Sequence, residues 1–279
     1  MDMFYNVNGW VILIGLLVLI VAASEIGFRL GRKNGWKTDE KMKAQISVVQ
    51  GALIGVLGLL LGFTMSMAVG RFEARRELVV DEANAIGTSW LRTHLLPEPE
   101  SSEIANLLRE YVDVRVQFGD AGENIKRLQE LRREGQRLQG KFWSIAAAYA
   151  QTDPRPVKTS LLLQSLNQTI DLEARRWAAL QNHVPSAVIY VNMMLAVMTS
   201  LLVAYSFGTN GLRHHMSMWS LAFAIIVVLG VIIDLDRPRR GFIRVSPQPL
   251  IDLQRQLQNP DSPEQAAARI LVKRTDGHP

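Results

Sequence analysis

The charged and imidazole side chains that border apolar sequence are the first candidates for chemistry in this chain. Glu25 closes a long run without charge, and a carboxylate at membrane depth is a functional suspect by default. Arg29 follows it at i+4, however, so an ion pair at headgroup level is the simpler reading. Arg71, Glu73, Arg75 and Arg76 crowd the end of a second apolar run, where they form either a solvated collar or a vestibule that concentrates ions. His214 and His215 are adjacent, about 100° apart on a helix, and cannot chelate one metal as an i, i+4 pair would. They are expected in a short loop.

Asp234 and Asp236 are only two carboxylates, too few for a metal cage, and the 279 residues include no cysteine, which removes thiol chemistry and cysteine-ligated metals. No phosphate-binding loop, dinucleotide fingerprint or nucleophile elbow occurs. The chemistry left is the handling of charge at a membrane boundary. The chain is read as no enzyme, with no cofactor and no metal. Its net charge of +5 gathers in clusters without interleaved aromatics, which points to lipid headgroups and not to nucleic acid.

The elements that must position these residues are apolar. No Asp, Glu, Lys or Arg occurs in residues 3–24, 44–70, 177–212 or 214–233. A hydrocarbon core of about 30 Å takes roughly 20 apolar residues, so each run can span it. Four transmembrane helices are expected near 9–30, 47–70, 185–207 and 216–235. The first is read as a retained span and not a signal peptide, because Asp2 and no basic residue precedes it. Expected domains are 1–70 with two spans, 71–183 as a helical aqueous domain, 184–235 with two further spans, and 236–279 as a basic tail.

In the aqueous domain the second span is expected to run on as one helix to about residue 96. "LPEPESSE" makes a turn in which Ser101 or Ser102 caps the next helix. That helix carries Ile104, Leu107, Leu108, Tyr111, Val114 and Phe118 on one face. A third helix, 123–151, carries Ile125, Leu128, Leu131, Leu138, Phe142 and Ile145 and stops at "TDPRP". A fourth, 157–182, carries Leu162, Leu166, Ile170 and Trp177 and leads into the third span. The fold class is all-α, an antiparallel bundle between two pairs of spans.

The stretch "QGALIGVLGLLLGFTMSMAVGRFEARRE" adds detail within the second span. Gly51, Gly55, Gly58 and Gly62 fall within about 60° of one another, a stripe that permits close helix packing. Beside it runs Val48, Ala52, Gly55, Leu59, Phe63, Ser66 and Gly70, spaced four, three, four, four, three and four. Small residues alternating with apolar bulk suit a narrow lumen, although a packed core has a similar composition.

"LLLGF", then Arg71, Phe72 and "EAR" at residues 73–75, resemble the second-span signature of bestrophins. The fuller string through "DEANAIGTSWLR", with "DLDRPRRGFIRVSPQPLIDL" after the fourth span, is similar to the bacterial bestrophin-like family over nearly the whole chain. The resemblance implies a homopentameric ion channel with an apolar neck lined by five copies of the second helix. Most bestrophins conduct anions and some bacterial ones prefer cations, so chloride is slightly favoured. By position the neck residues are Gly55, Leu59 and Phe63, with Ser66 just beyond, and Arg71, Glu73 and Arg75 at the exit. Gly51, Gly58 and Gly62 remain as the packing seam. One aromatic separates Arg71 from "EAR" where bestrophins have two, and the calcium-clasping acidic cluster of animal bestrophins has no match.

The resemblance also implies a bacterial inner-membrane protein with a cytoplasmic aqueous domain. Six basic residues between the first two spans favour the opposite orientation by the positive-inside rule. The expected partners are further copies of the chain, membrane lipids and permeant ions. A non-conducting scaffold or sensor, whose helical domain binds a partner, is the alternative reading. A secondary transporter fits less well, since interrupted spans and inverted repeats are not evident.

Overall fold

The computed structural model describes residues 7–35, 38–153, 156–211, 215–239 and 241–259. Among them are eight helices: α1 (Gly9–Asn34), α2 (Glu40–Thr93), α3 (Glu100–Asp120), α4 (Ile125–Thr152), α5 (Pro156–Gln181), α6 (Ser186–Thr209), α7 (His215–Asp236) and α8 (Gln248–Gln258). Among the described residues four helical segments are long and apolar enough to cross a membrane, and they lie in α1, α2, α6 and α7. His214 lies outside the described residues, and His215 opens α7 instead of sitting in a loop.

The described residues of Met1–Glu73 and Asn182–Arg244 form one compact unit, and those of Ala74–Gln181 with Val245–Pro279 form another. α2 is continuous for 54 residues and contributes to both. Its uninterrupted course follows from the absence of proline and of any capping cluster before Pro97. α5 and α6, in contrast, are separate helices, because residues 182–185 leave helical geometry ahead of Pro185.

In the membrane unit the closest helix approach is between α1 and α6. A Cβ at Gly27 would collide with the Leu201 carbonyl, one at Gly31 with the Tyr205 carbonyl, and one at Gly208 with the Phe28 carbonyl. Backbone meets backbone there, which only glycine permits. The glycine seam realised within the chain is thus Gly27, Gly31 and Gly208. Gly51, Gly58 and Gly62, expected to pack, have nothing within 4 Å of a Cβ position.

Two aspartates close the C-terminal end of α7. Asp236, fully buried, accepts from the Val184 N–H at 2.9 Å, while its carbonyl accepts from His183 Nδ1 at 2.9 Å. Asp234 accepts from the backbone N–H groups of Phe242 at 3.0 Å and Ile243 at 2.9 Å, folding the following loop back. Arg237 donates to the Val7 carbonyl at 2.5 Å. Both carboxylates are engaged in holding backbone. Glu25 accepts from Arg29 Nε at 2.7 Å, the ion pair expected from their spacing.

The helical unit is organised around Ile86, Ile104, Leu108, Phe142, Leu162 and Leu166, all fully buried. Each such side chain contributes about 1.5–3 kcal/mol relative to exposure. The three-and-four periodicity identifies these faces correctly except at Ile125, which is 54% exposed at the first position of α4. The start of α3 differs from expectation as well. Pro99 occupies the N-cap and Ser101 is buried, while the Glu98 carboxylate accepts from the Ser102 N–H at 3.3 Å. α8, within the expected tail, buries Leu250, Leu253 and Leu257 in this core.

Candidate functional site

The membrane-spanning part of α2 divides cleanly into an engaged and an open side. Leu57, Leu61, Thr64 and Ala68 are buried, spaced four, three and four, and Leu57, Leu61 and Ala68 belong to the core shared with α1, α6 and α7. Leu59 and Phe63 are 59% and 60% exposed, and Val48, Ala52, Gly55, Ser66 and Gly70 are exposed with them. At about 100° per residue the Leu59–Phe63–Ser66 face points almost opposite the buried one.

The two flanks of this open face are unlike each other. On one side lie Gly51, Gly58 and Gly62, all exposed. On the other lie Val49, Val56 and Met67, which are 53%, 47% and 37% exposed. Between residues 51 and 62 one flank carries only glycine, with Val69 closing it at 37% exposure, and the other is a row of apolar side chains. The two edges of the Leu59–Phe63 face therefore differ in relief.

At the end of the span the expected charged residues separate. Arg71 donates from Nη1 to the Asn182 side-chain oxygen and stays partly exposed. Glu73 is exposed. Arg75 is only 3% exposed, and its Nε donates to the Ala179 carbonyl at 3.1 Å, so it ties α2 to α5. Burial turns this arginine away from solvent, and Arg76 is the neighbour that remains exposed.

A charged cluster in the helical unit escaped the sequence reading. Glu82 of α2 accepts from Arg115 Nε of α3 on Oε1 at 2.6 Å and from Arg115 Nη2 on Oε2 at 3.3 Å, and Arg176 Nη1 of α5 donates to the same Oε2. Glu82 is 0%, Arg115 1% and Arg176 7% exposed. Burial alone would push the Glu82 carboxyl up, but the two guanidiniums outweigh it and hold it below the ordinary carboxylate value. Burial lowers Arg176, while for Arg115 the Glu82 carboxylate overcomes burial and raises it. Tyr111, fully buried and bonded to Gln139 Nε2 at 2.9 Å, is pushed up by burial. Residues 82, 115 and 176 are too far apart for any motif to join them. The available signal was register, since each charge interrupts an apolar helix face at a core position.

Among the described residues no three His, Cys, Asp or Glu side chains gather as a metal site.

A family model described as the Bestrophin-like domain matches residues 10–250. Comparison with curated proteins finds no match. Solved structures of a bacterial bestrophin homologue from Klebsiella pneumoniae align at TM-score 0.63 and 16% identity. The form phased on zinc covers 88% of this chain and 96% of that one, and a form with a tryptophan-to-alanine change covers 88% and 95%. A structure described as a membrane protein aligns at TM-score 0.63 and 17% identity, covering 88% and 97%. At such identities the structural likeness is one of fold, with two pairs of apolar helices around a helical domain. The match of the family model over most of the length is what decides membership: this chain belongs to the bestrophin-like family.

Proposed function

We propose that this multi-pass membrane protein is an ion channel, assembled from several copies around a pore lined by α2. Family membership argues for a channel-type protein and against catalysis. The observation that carries the reading is the face of Leu59, Phe63 and Ser66, which the chain's other helices leave uncovered within a membrane-spanning segment. In a ring of copies the Val49, Val56 and Met67 flank of one α2 fits the Gly51, Gly58 and Gly62 flank of the next, and the face between them turns to the axis. A head-to-tail contact closes into a ring when the rotation between neighbouring copies divides a full turn. The family resemblance favours five copies.

Rings of Leu59 and Phe63 then form an apolar neck that gates by dewetting, with Gly55 before it and Ser66 after it. Arg71 and Glu73 stand at the exit. The permeant species is a small inorganic ion, with chloride favoured by the resemblance, and the setting is a bacterial inner membrane with the helical unit in the cytoplasm. Chloride flux from vesicles holding the purified protein, with its oligomeric mass in detergent, tests the reading. Flux carried by a multimer is expected, whereas a monomeric particle that carries none would remove the axial lumen.

A further inference from the structure

Thr64 lies one residue beyond Phe63 but on the engaged side of α2, and it is 1% exposed. Its hydroxyl donates to the Leu60 carbonyl at 2.7 Å and accepts from Asn192 Nδ2 of α6 at 2.9 Å. Asn192 is fully buried, and the same nitrogen donates to the Val188 carbonyl at 2.9 Å. That second bond fixes which way the amide points, because only the NH2 group can donate to a carbonyl. Every other described α2 residue on this side between positions 57 and 68 makes apolar contact alone.

Apolar contact between helices in a membrane specifies rotation poorly, since one Leu or Ala fits another at several angles and lipid supplies no hydrophobic drive. A buried hydrogen bond is directional. Turning α2 by even a few tens of degrees would take the Thr64 acceptor from one Asn192 N–H, leaving the amide only the Val188 carbonyl of its own helix, in a place where water cannot replace the lost bond. We propose that the Thr64–Asn192 bond is a rotational latch, which fixes α2 against α6 and thereby sets the side to which Leu59, Phe63 and Ser66 face. The two residues are positioning residues, and their importance to conduction rests on the pore reading above. The latch itself sets helix rotation whether or not the chain conducts.

The absence of natural cysteine makes this directly measurable. Single substitutions Leu59→Cys, Phe63→Cys and Ser66→Cys, with Leu57→Cys and Leu61→Cys on the buried side and Gly58→Cys and Gly62→Cys on the flank, are labelled in vesicles by a charged thiol reagent. In the otherwise unaltered chain positions 59, 63 and 66 are expected to react fastest. Adding Thr64→Val or Asn192→Leu is expected to shift the fast positions toward one flank, with rates changing about three- to tenfold, the range of an interhelical hydrogen bond in a membrane. Thr64→Ser keeps the hydroxyl and is expected to keep the pattern. An unchanged pattern in both Thr64→Val and Asn192→Leu overturns the latch. Slow labelling at 59, 63 and 66 in the otherwise unaltered chain overturns the pore reading, while a Thr64→Val shift in the same series still supports the latch.

Discussion

Arg115 and Glu82 meet at 2.6 Å with neither side chain more than 1% exposed. Arg176 completes the group, so one carboxylate serves two buried guanidiniums. Taking one partner from such a group leaves uncompensated charge out of water. Glu82→Gln is expected to destabilise the chain by about 3–5 kcal/mol, read as a lower unfolding temperature in detergent. Replacing all three together, as Glu82→Leu, Arg115→Met and Arg176→Leu, is expected to recover much of that loss. A Glu82→Gln protein as stable as its parent would contradict this account of the core.

The same group sets a pH limit. The folded Glu82 carboxyl is held below its ordinary value. Its contribution is therefore complete above the unfolded value of about 4.3 and is lost as pH falls through the lower, folded one. Unfolding temperatures measured from pH 7 downward are expected to drop in that acid range. Glu82→Gln should start lower and show a shallower acid limb.

Glycines of the α1–α6 seam and of the open α2 flank should respond differently to small substitutions. Gly27→Ala or Gly208→Ala places a Cβ on opposing backbone, which no rotamer change relieves. A loss of at least about 1–3 kcal/mol is expected, seen as reduced protease resistance. Gly58→Ala meets open space in the single chain and should leave its fold intact. If α2 packs along its glycine flank in the proposed ring, Gly58→Leu is expected to lower the oligomeric mass in detergent. A full-sized assembly of Gly58→Leu would argue against the proposed ring contact.

Asp234 gives a fourth prediction. Both of its oxygens accept backbone N–H groups, and a Cβ at Gly241 would fall within 2.8 Å of the carboxylate. Asp234→Ala is expected to cost about 1–3 kcal/mol by leaving those donors unmatched. Millimolar calcium is expected to leave the unfolding temperature of the intact protein unchanged. A marked calcium-dependent rise would show that these carboxylates serve an ion and not the loop.

The spans and the helical bundle were legible because burial on one side of a helix writes a three-and-four pattern and a membrane writes an uncharged run. The unbroken course of α2 was legible too, since nothing between Glu40 and Thr93 could stop it. Packing partners were not. The Gly27–Gly31 pair is a small-xxx-small motif as plain as the stripe in α2, yet only α6 shows which of the two is used within the chain. Arg75 illustrates the same limit, for a charge after a span can point to solvent or to a carbonyl on another helix. Glu82, Arg115 and Arg176 are separated by 33 and 61 residues, and their meeting is a property of the bundle alone.

In the proposed channel Leu59 and Phe63 form the apolar constriction of a conducting pore. Single-channel recording from the purified protein in planar bilayers tests it most directly, comparing the parent with Leu59→Ala plus Phe63→Ala. Removing both rings is expected to give larger or more persistent openings, because the neck widens and stays wet. Silence from the parent and the double variant alike, with the assembled particle intact, would contradict the channel.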